Sequence, residues 1–209
     1  MDSAPNLKEI FFALAGSYTD NVALAERNWT EIESHYSGSK RHYHTLAHLA
    51  NLLSCLNEIR NKIEDWDTTL FTLYYHDIIY NALKSDNEEQ SAEVAVSAMK
   101  SFNVPDEKTE RCKKHIIATK KHLVSSDNDT NYFTDADLAA LGQGWDDYSA
   151  YYKNVRKEYS IYPDLIYNPG RKKVLRHFLE MERIYKTDYF YEQFELQAKE
   201  NMRKELEIL

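Results

Sequence analysis

Four residues of types that bind metal ions are spread along this chain of 209 residues. They are His48, the adjacent pair His76 and Asp77, and Asp137. A charged pair between apolar neighbours costs free energy to bury unless it is paired or bound to a metal. Two imidazoles and two carboxylates suit a borderline divalent ion such as Mn²⁺, Fe²⁺, Co²⁺, Ni²⁺ or Zn²⁺ better than Ca²⁺. The set therefore predicts a metallohydrolase, in which open positions on the ion hold water of lowered pKa.

The spacing of the histidines gives His44 a separate task. His44 and His48 are four residues apart, so on a helix they would project about 40° apart and one turn from each other. One can then bind the ion while the other faces whatever the ion holds. His76 and Asp77 would point about 100° apart on a helix, so both reach one ion if that helix runs past it.

Each of these residues also has a purely structural interpretation. A buried histidine is often a satisfied core group. Asp137 fits a capping box opened by Thr134, and Glu88 fits one opened by Ser85, where each carboxylate would bond to the backbone of its own helix. The combination of residues, rather than any one of them, favours the metal site.

The elements that must position these residues are helices. Apolar residues recur at helical spacing almost throughout the chain, and five glycines and four prolines are few for a fold rich in turns. No linker rich in Pro, Gly or Ser divides the chain. We therefore expect one all-α domain over residues 1–209, a helical bundle of about eight to ten helices.

Helix boundaries follow from the same pattern and from capping residues. Asp67 is the predicted cap of the helix that carries His76 and Asp77, residues 125–131 form the clearest loop, and Asn168 with Pro169 opens a helix. Thr187 or Asp188 caps the last helix. The predicted helices cover about 7–15, 20–36, 43–59, 67–80, 88–102, 106–121, 134–144, 146–159, 170–185 and 188–209.

Composition excludes several classes of function. The net charge of −8 argues against non-specific binding to nucleic acid or to an anionic membrane, although a local basic pocket can still bind a small phosphorylated ligand. The apolar run at 11–15 is too short for a signal peptide, and no segment approaches the ~18 apolar residues of a membrane span. Cys55 and Cys112 form no CxxC pattern, so we expect reduced thiols in a cytoplasmic protein.

The ordered set of His48, His76, Asp77 and Asp137 resembles the HD-domain superfamily of metal-dependent phosphohydrolases. Residues 43–49, 75–80, 87–92 and 135–138 look like one subgroup, the predicted metal-dependent HD phosphohydrolases, and so does the C-terminal run at 156–159, 163–164, 170–171 and 178–179. The resemblance implies an all-α HD fold whose four ligands bind one divalent ion (Mn, Fe, Co, Ni, Zn or Mg). It also implies a small phosphorylated substrate, such as a nucleotide.

Two further residues acquire candidate catalytic roles through this resemblance. The stretch from Tyr43 and His44 to His48 is similar to the first motif of cyclic-nucleotide phosphodiesterases, where the first histidine is a general acid and the second a ligand. Carried over, His44 would protonate the leaving oxygen while metal-activated water attacks phosphorus. Glu88, one helix after the HD pair, is a candidate base, a residue that orients the water, or only a cap.

Two-metal members of the family add histidine ligands between the HD pair and the last aspartate, and here His115 and His122 occupy that interval. They are seven residues apart, which is about 20° on a helix. The lysines around them suggest a phosphate-binding stripe or simply a solvated basic face. Arg41, Arg156 and Arg171 are candidate phosphate clamps, because a guanidinium binds phosphate in bidentate fashion.

The leading hypothesis is thus a hydrolase of phosphate esters or anhydrides that uses metal-activated water. One alternative is a di-iron HD-type oxygenase, which needs extra ligands such as His115 or His122. Another is a catalytically silent nucleotide-binding module, and a third is a scaffold in which the same residues only pack and cap. The C-terminal helix packs either on its own domain or on a second copy, which would give a homodimer.

Overall fold

The computed structural model describes residues 6–209, and within that range it contains ten α-helices, two short 3-10 turns and no β-strand. The predicted all-α fold class is thereby confirmed. The 3-10 turns are Arg60–Lys62 and Leu138–Gly142. The helices are α1 (Leu7–Gly16), α2 (Val22–Tyr36), α3 (Leu46–Glu58), α4 (Trp66–Tyr75), α5 (Asn87–Ser101), α6 (Asp106–Ala118), α7 (Asn128–Asp137), α8 (Trp145–Glu158), α9 (Asp164–Glu180) and α10 (Asp188–Ile208).

The residues group into two compact units, a first that ends at Thr134 and a second, Asp135–Leu209. The boundary between them falls inside α7. The single domain expected over residues 1–209 stays a prediction.

Helix α4 is the centre of the first unit, because every residue from 68 to 75 is buried. It contacts α1, α3, α5 and α6. Its polar residues are satisfied locally, since the hydroxyls of Thr69 and Thr72 donate to carbonyls one turn earlier. The helix ends at Tyr75, and His76 and Asp77 follow directly. The central helix therefore delivers the HD pair at its carboxyl end.

An aromatic cluster fixes α4 against its neighbours. The ring of Phe11 contacts those of Trp29, Tyr74 and Phe102, with centroids 5.9, 5.1 and 6.1 Å away. All four side chains are buried, and each contributes on the order of 1.5–3 kcal/mol by leaving water. The cluster joins α1, α2, α4 and the end of α5, so the position of the HD pair depends on the packed core.

In the second unit, the turn Leu138–Gly142 lies against α10. A Cβ atom at Gly142 would lie 2.8 Å from the carbonyl oxygen and 2.9 Å from the Cα of Phe194, so this close approach requires glycine. The amide of Asn201 donates to the carbonyls of Leu141 and Gln143 at 2.9 and 2.7 Å. Helix α10 thus holds the turn by backbone contact and by a side-chain clamp.

Both cysteines are free thiols. Burial raises the pKa of Cys55 to about 11 and that of Cys112 to about 12. Both thiols are therefore protonated near neutral pH, and neither is an activated nucleophile.

The predicted cap of α4 was wrong by two residues. Asp65 caps this helix and accepts the N–H of Thr68 at 3.1 Å. Asp67 instead accepts the hydroxyl of Tyr18 at 2.7 Å. Both aspartates suit a cap locally, and the tertiary contact with Tyr18 decides between them.

The capping box predicted from Ser85 to Glu88 was also wrong. The residue before α5 is Asp86, and it forms no side-chain cap. Ser85 instead offers its backbone carbonyl to the ammonium of Lys120. Glu88 therefore lies in the first turn of α5, where its negative charge interacts favourably with the positive end of the helix dipole.

Helix α7 begins inside the segment predicted as a loop, and Thr134 lies within it rather than at its start. The Thr134 hydroxyl donates to the carbonyl of Thr130 at 2.9 Å. The buried carboxylate of Asp129 accepts the two backbone N–H groups of residues 64 and 65, just ahead of α4. These tertiary hydrogen bonds stabilise a helix in a segment of Asn, Asp and Thr, residue types that locally favour turns.

Helix α9 begins at Asp164, so Pro169 lies inside it instead of at its first position. A proline there lacks the N–H that would bond one turn back, and packing outweighs that loss. Helix α6 ends at Ala118, three residues earlier than expected, and His122 follows with a φ of 49°.

Candidate metal centre

The imidazoles of His48 and His76 lie together in the first unit. Their Nε2 atoms are 3.3 Å apart, and both residues are buried. The Nδ1 of His76 lies 3.0 Å from the carbonyl of Leu73, which favours a proton on Nδ1 and a lone pair on Nε2. Two nitrogens that are each bound at about 2.1 Å to one tetrahedral ion lie about 3.4 Å apart. The observed separation therefore fits a shared ion.

Asp77 adds an oxygen to this pair of nitrogens. Its Oδ2 is 3.3 Å from Nε2 of His76 and 3.7 Å from Nε2 of His44. The backbone N–H of Asp77 donates to the hydroxyl of Tyr36 at 3.2 Å. Helix α4 ends at Tyr75, so it does not extend through the HD pair as predicted. His76 is its C-cap and keeps helical backbone dihedrals, and its N–H donates to the carbonyl of Thr72 at 2.9 Å. The carboxyl end of the helix favours a cation.

His44 lies just before α3 and is 18% exposed. Its ring packs against Tyr80 with centroids 4.3 Å apart, and against Tyr43 at 4.9 Å. The ring of Tyr43 also lies 4.9 Å from that of His48. The sequence did not single out Tyr43 and Tyr80 as site residues, although both belong to the motif stretches at 43–49 and 75–80.

Arg41 fastens the two segments that carry the site. Its guanidinium donates to the carbonyl of His44 at 3.2 Å and to that of Ile78 at 2.7 Å, and it lies over the ring of Tyr36 at 4.8 Å. Arg41 thus positions the loop before α3 against the loop after α4. Its role as a phosphate clamp stays a prediction.

Glu88 interacts electrostatically with Asp77 of the site. Burial raises the pKa of its carboxyl, and the charge of Asp77 acts in the same direction, while Lys120 acts in the opposite one. The ammonium of Lys120 is 3.9 Å from Glu88 and 2.6 Å from Glu89. The proposed role of Glu88 in proton transfer stays a prediction.

His115 is fully buried on α6, and both of its ring nitrogens have protein partners. Nε2 lies 3.1 Å from Oδ2 of Asp127, and Nδ1 lies 3.4 Å from the hydroxyl of Thr72. Burial lowers the pKa of His115, although Asp127 acts against that shift, so the ring is neutral at neutral pH. His122 lies beyond the end of α6, which contradicts the expected common helix face.

Three predicted site residues belong to the second unit. Asp137 is the last residue of α7 and is partly exposed, and its role as a ligand stays a prediction. Arg156 donates to the carboxylate of Asp164 at 2.7 and 3.0 Å. It also donates to the carbonyls of Tyr159 and Tyr162, so it holds the turn between α8 and α9.

Arg171 forms a buried bidentate pair with Glu205, at 2.8 and 3.0 Å. The side chains are 8% and 1% exposed, and the hydroxyl of Tyr148 donates to the same carboxylate. This network joins α8, α9 and α10. The guanidinium of Arg171 therefore has a structural task, and its predicted contact with phosphate stays a prediction.

Replacement of Arg171 alone should destabilise the protein strongly. Arg171→Leu leaves the carboxylate of Glu205 buried without its cation, which costs about 3–5 kcal/mol of unfolding free energy. The double variant Arg171→Leu/Glu205→Leu should recover much of that loss, because no charge is then stranded. Urea denaturation followed by circular dichroism measures both, with Arg176→Leu as the exposed control on the same helix. Equal losses in Arg171→Leu and Arg176→Leu would show that the pair contributes nothing.

Comparison with known proteins adds no relative. No protein-family model matches the chain, and no curated protein or solved structure matches it. Among the residues that the structure describes, no helix combines the length and apolar character needed to cross a membrane.

Proposed function

We propose that this protein is a metal-dependent hydrolase of phosphate esters or anhydrides, acting on a nucleotide or a related small molecule. The observation that carries the proposal is the 3.3 Å approach of the two Nε2 atoms of His48 and His76. Two imidazole lone pairs facing each other in a buried place repel unless a proton or a cation lies between them. The carboxylate of Asp77, 3.3 Å from His76, adds an oxygen donor, which a metal ion can bind together with both nitrogens and a shared proton cannot.

The donor set limits the ion. Imidazole nitrogens with a carboxylate oxygen suit Mn, Fe, Co, Ni or Zn, and Mg remains a candidate when substrate phosphate completes its shell. We propose Asp137 as the fourth ligand from the order of the motifs alone. A divalent ion, when bound, supplies Lewis acidity toward phosphoryl oxygens and a water acidic enough to react near neutral pH.

The chain's own residues would supply orientation and protons. His44 has its Nε2 3.7 Å from the Asp77 carboxylate and is partly exposed, so it can deliver a proton to a leaving oxygen. Tyr43 and Tyr80 hold its ring from two sides. Glu88, whose carboxyl pKa is raised by burial, is our candidate for exchanging a proton with the attacking water.

The test is phosphate release from a panel of nucleotides and phosphomonoesters with Mn²⁺, Co²⁺, Ni²⁺ or Mg²⁺. We expect turnover of one substrate class that requires a divalent ion and stops when EDTA is added. Silence with every substrate and ion would refute the proposal. In that case, two bound irons would favour the oxygenase alternative, and nucleotide binding without turnover would favour the silent binding module.

A further inference from the structure

A pocket of about 500 Å³ opens beside the candidate metal centre. One wall is the turn at 38–41, which includes Lys40 and Arg41, and another is the stretch 79–81 that directly follows the HD motif, with Lys84 beyond it. A volume of this size lies within the roughly 300–1,000 Å³ typical of sites for small molecules. The pocket lies wholly within the first unit.

Two residues connect this pocket to the proposed site of chemistry. Tyr80 lines the pocket and also packs against the ring of His44, with centroids 4.3 Å apart. Arg41 lines it too, and donates to the carbonyls of His44 and Ile78. A molecule whose phosphate reaches His44 could therefore extend past Tyr80 into the pocket.

The charge of the pocket differs from that of the protein as a whole. The chain carries a net charge of −8, yet Lys40, Arg41 and Lys84 all line this one pocket. Lys113 and Lys120 on α6 and just beyond it are paired with Glu93 and Glu89. By contrast, Lys40 and Lys84 are exposed, and within residues 6–209 neither is paired with a carboxylate. Positive charge that the protein leaves uncompensated in a pocket attracts an anion.

The segment that carries Lys84 is held in place. The side chain of Asn87 accepts the N–H of Asn81 and donates to its carbonyl, both at 3.1 Å. The side chain of Asn81 in turn accepts the N–H of Leu83 at 2.9 Å. These bonds close the backbone of the loop at 81–87 on itself and order the segment that carries Lys84.

We propose that this pocket binds a second phosphate group of the substrate, one that is not hydrolysed. Lys40 and Lys84 would contact that phosphate, and Arg41 would add its positive charge from the wall. The substrate class is then a small molecule with two separate phosphates, such as a nucleoside bisphosphate. The inference rests on the proposed hydrolase function only for the fate of the other phosphate.

The experiment is calorimetric titration of the full chain in EDTA with adenosine 3′,5′-bisphosphate, with adenosine as the uncharged reference. We expect Lys40→Gln/Lys84→Gln to weaken binding of the bisphosphate at least about tenfold, because two charge-assisted contacts are lost. The matched control Lys100→Gln/Lys114→Gln removes the same charge from exposed positions on α5 and α6 and should bind as the wild type does. Thermal melts of both double variants check that they fold.

Three results would overturn the inference. They are bisphosphate binding no tighter than adenosine in the wild type, unchanged affinity in Lys40→Gln/Lys84→Gln, and an equal loss in the two double variants. The substrate p-nitrophenyl phosphate has no second phosphate. Phosphate release from it by the wild type therefore tests the proposed hydrolase activity separately. Turnover of p-nitrophenyl phosphate without pocket-dependent binding of the bisphosphate refutes the pocket proposal and keeps the hydrolase proposal. Pocket-dependent binding without turnover of any substrate keeps the pocket and refutes the hydrolase.

Discussion

Asp77→Ala should remove the bound metal and abolish metal-dependent phosphate release. The Oδ2 of Asp77 lies 3.3 Å from Nε2 of His76, and it contributes negative charge beside the two imidazoles. Loss of a residue that only orients a ligand costs about 10–100-fold in metal affinity, so loss of a direct ligand should cost more. Metal content after gel filtration and phosphate release at fixed metal concentration measure the two effects together.

The matched control is Asp20→Ala, an exposed aspartate in the same unit. It removes the same charge without approaching the site, and it should retain metal and activity. Urea denaturation separates a binding defect from a folding defect, because the partly exposed Asp77 carboxylate contributes little to the core. Full metal content in Asp77→Ala would show that this residue is not a ligand.

Much of the helical architecture follows from local patterns in the sequence. The apolar spacing places the starts and ends of α1 and α2 within about two residues of those observed. However, two neighbouring polar residues often both suit the N-cap position, and contacts with residues far away in the sequence determine which one caps the helix. Tyr18 engages Asp67, which leaves Asp65 to cap α4, and no local pattern contains that contact.

The candidate site likewise has a part that the sequence predicted and a part that only the fold creates. The order of motifs named His48, His76 and Asp77, and the structure brings these three side chains together. The partners of His115 could not be foreseen, because Thr72 and Asp127 come from separate segments. The cationic pocket could not be predicted from the sequence either. Lys120 is paired with Glu89 and Lys84 is not, and this difference depends on the fold.

His44→Gln should slow hydrolysis in a way that depends on the leaving group. A general acid contributes about 10²–10⁴-fold when the departing oxygen needs a proton, so kcat should fall by about that much for an alkyl phosphate such as glycerol phosphate. The p-nitrophenolate ion leaves without a proton, so the same variant should lose far less activity on p-nitrophenyl phosphate. Metal content should be unchanged, because His48 and His76 keep their geometry.

This comparison of two substrates separates proton donation from other roles of His44. If His44 only held Tyr80 or Asp77 in place, kcat would fall equally for both substrates, and if it were a ligand, metal would be lost. His177→Gln, an exposed histidine on α9, is the matched control and should leave both rates unchanged. Because the Nε2 of His44 lies 3.7 Å from Asp77, the proton it delivers starts beside the proposed ion, where the leaving oxygen must depart.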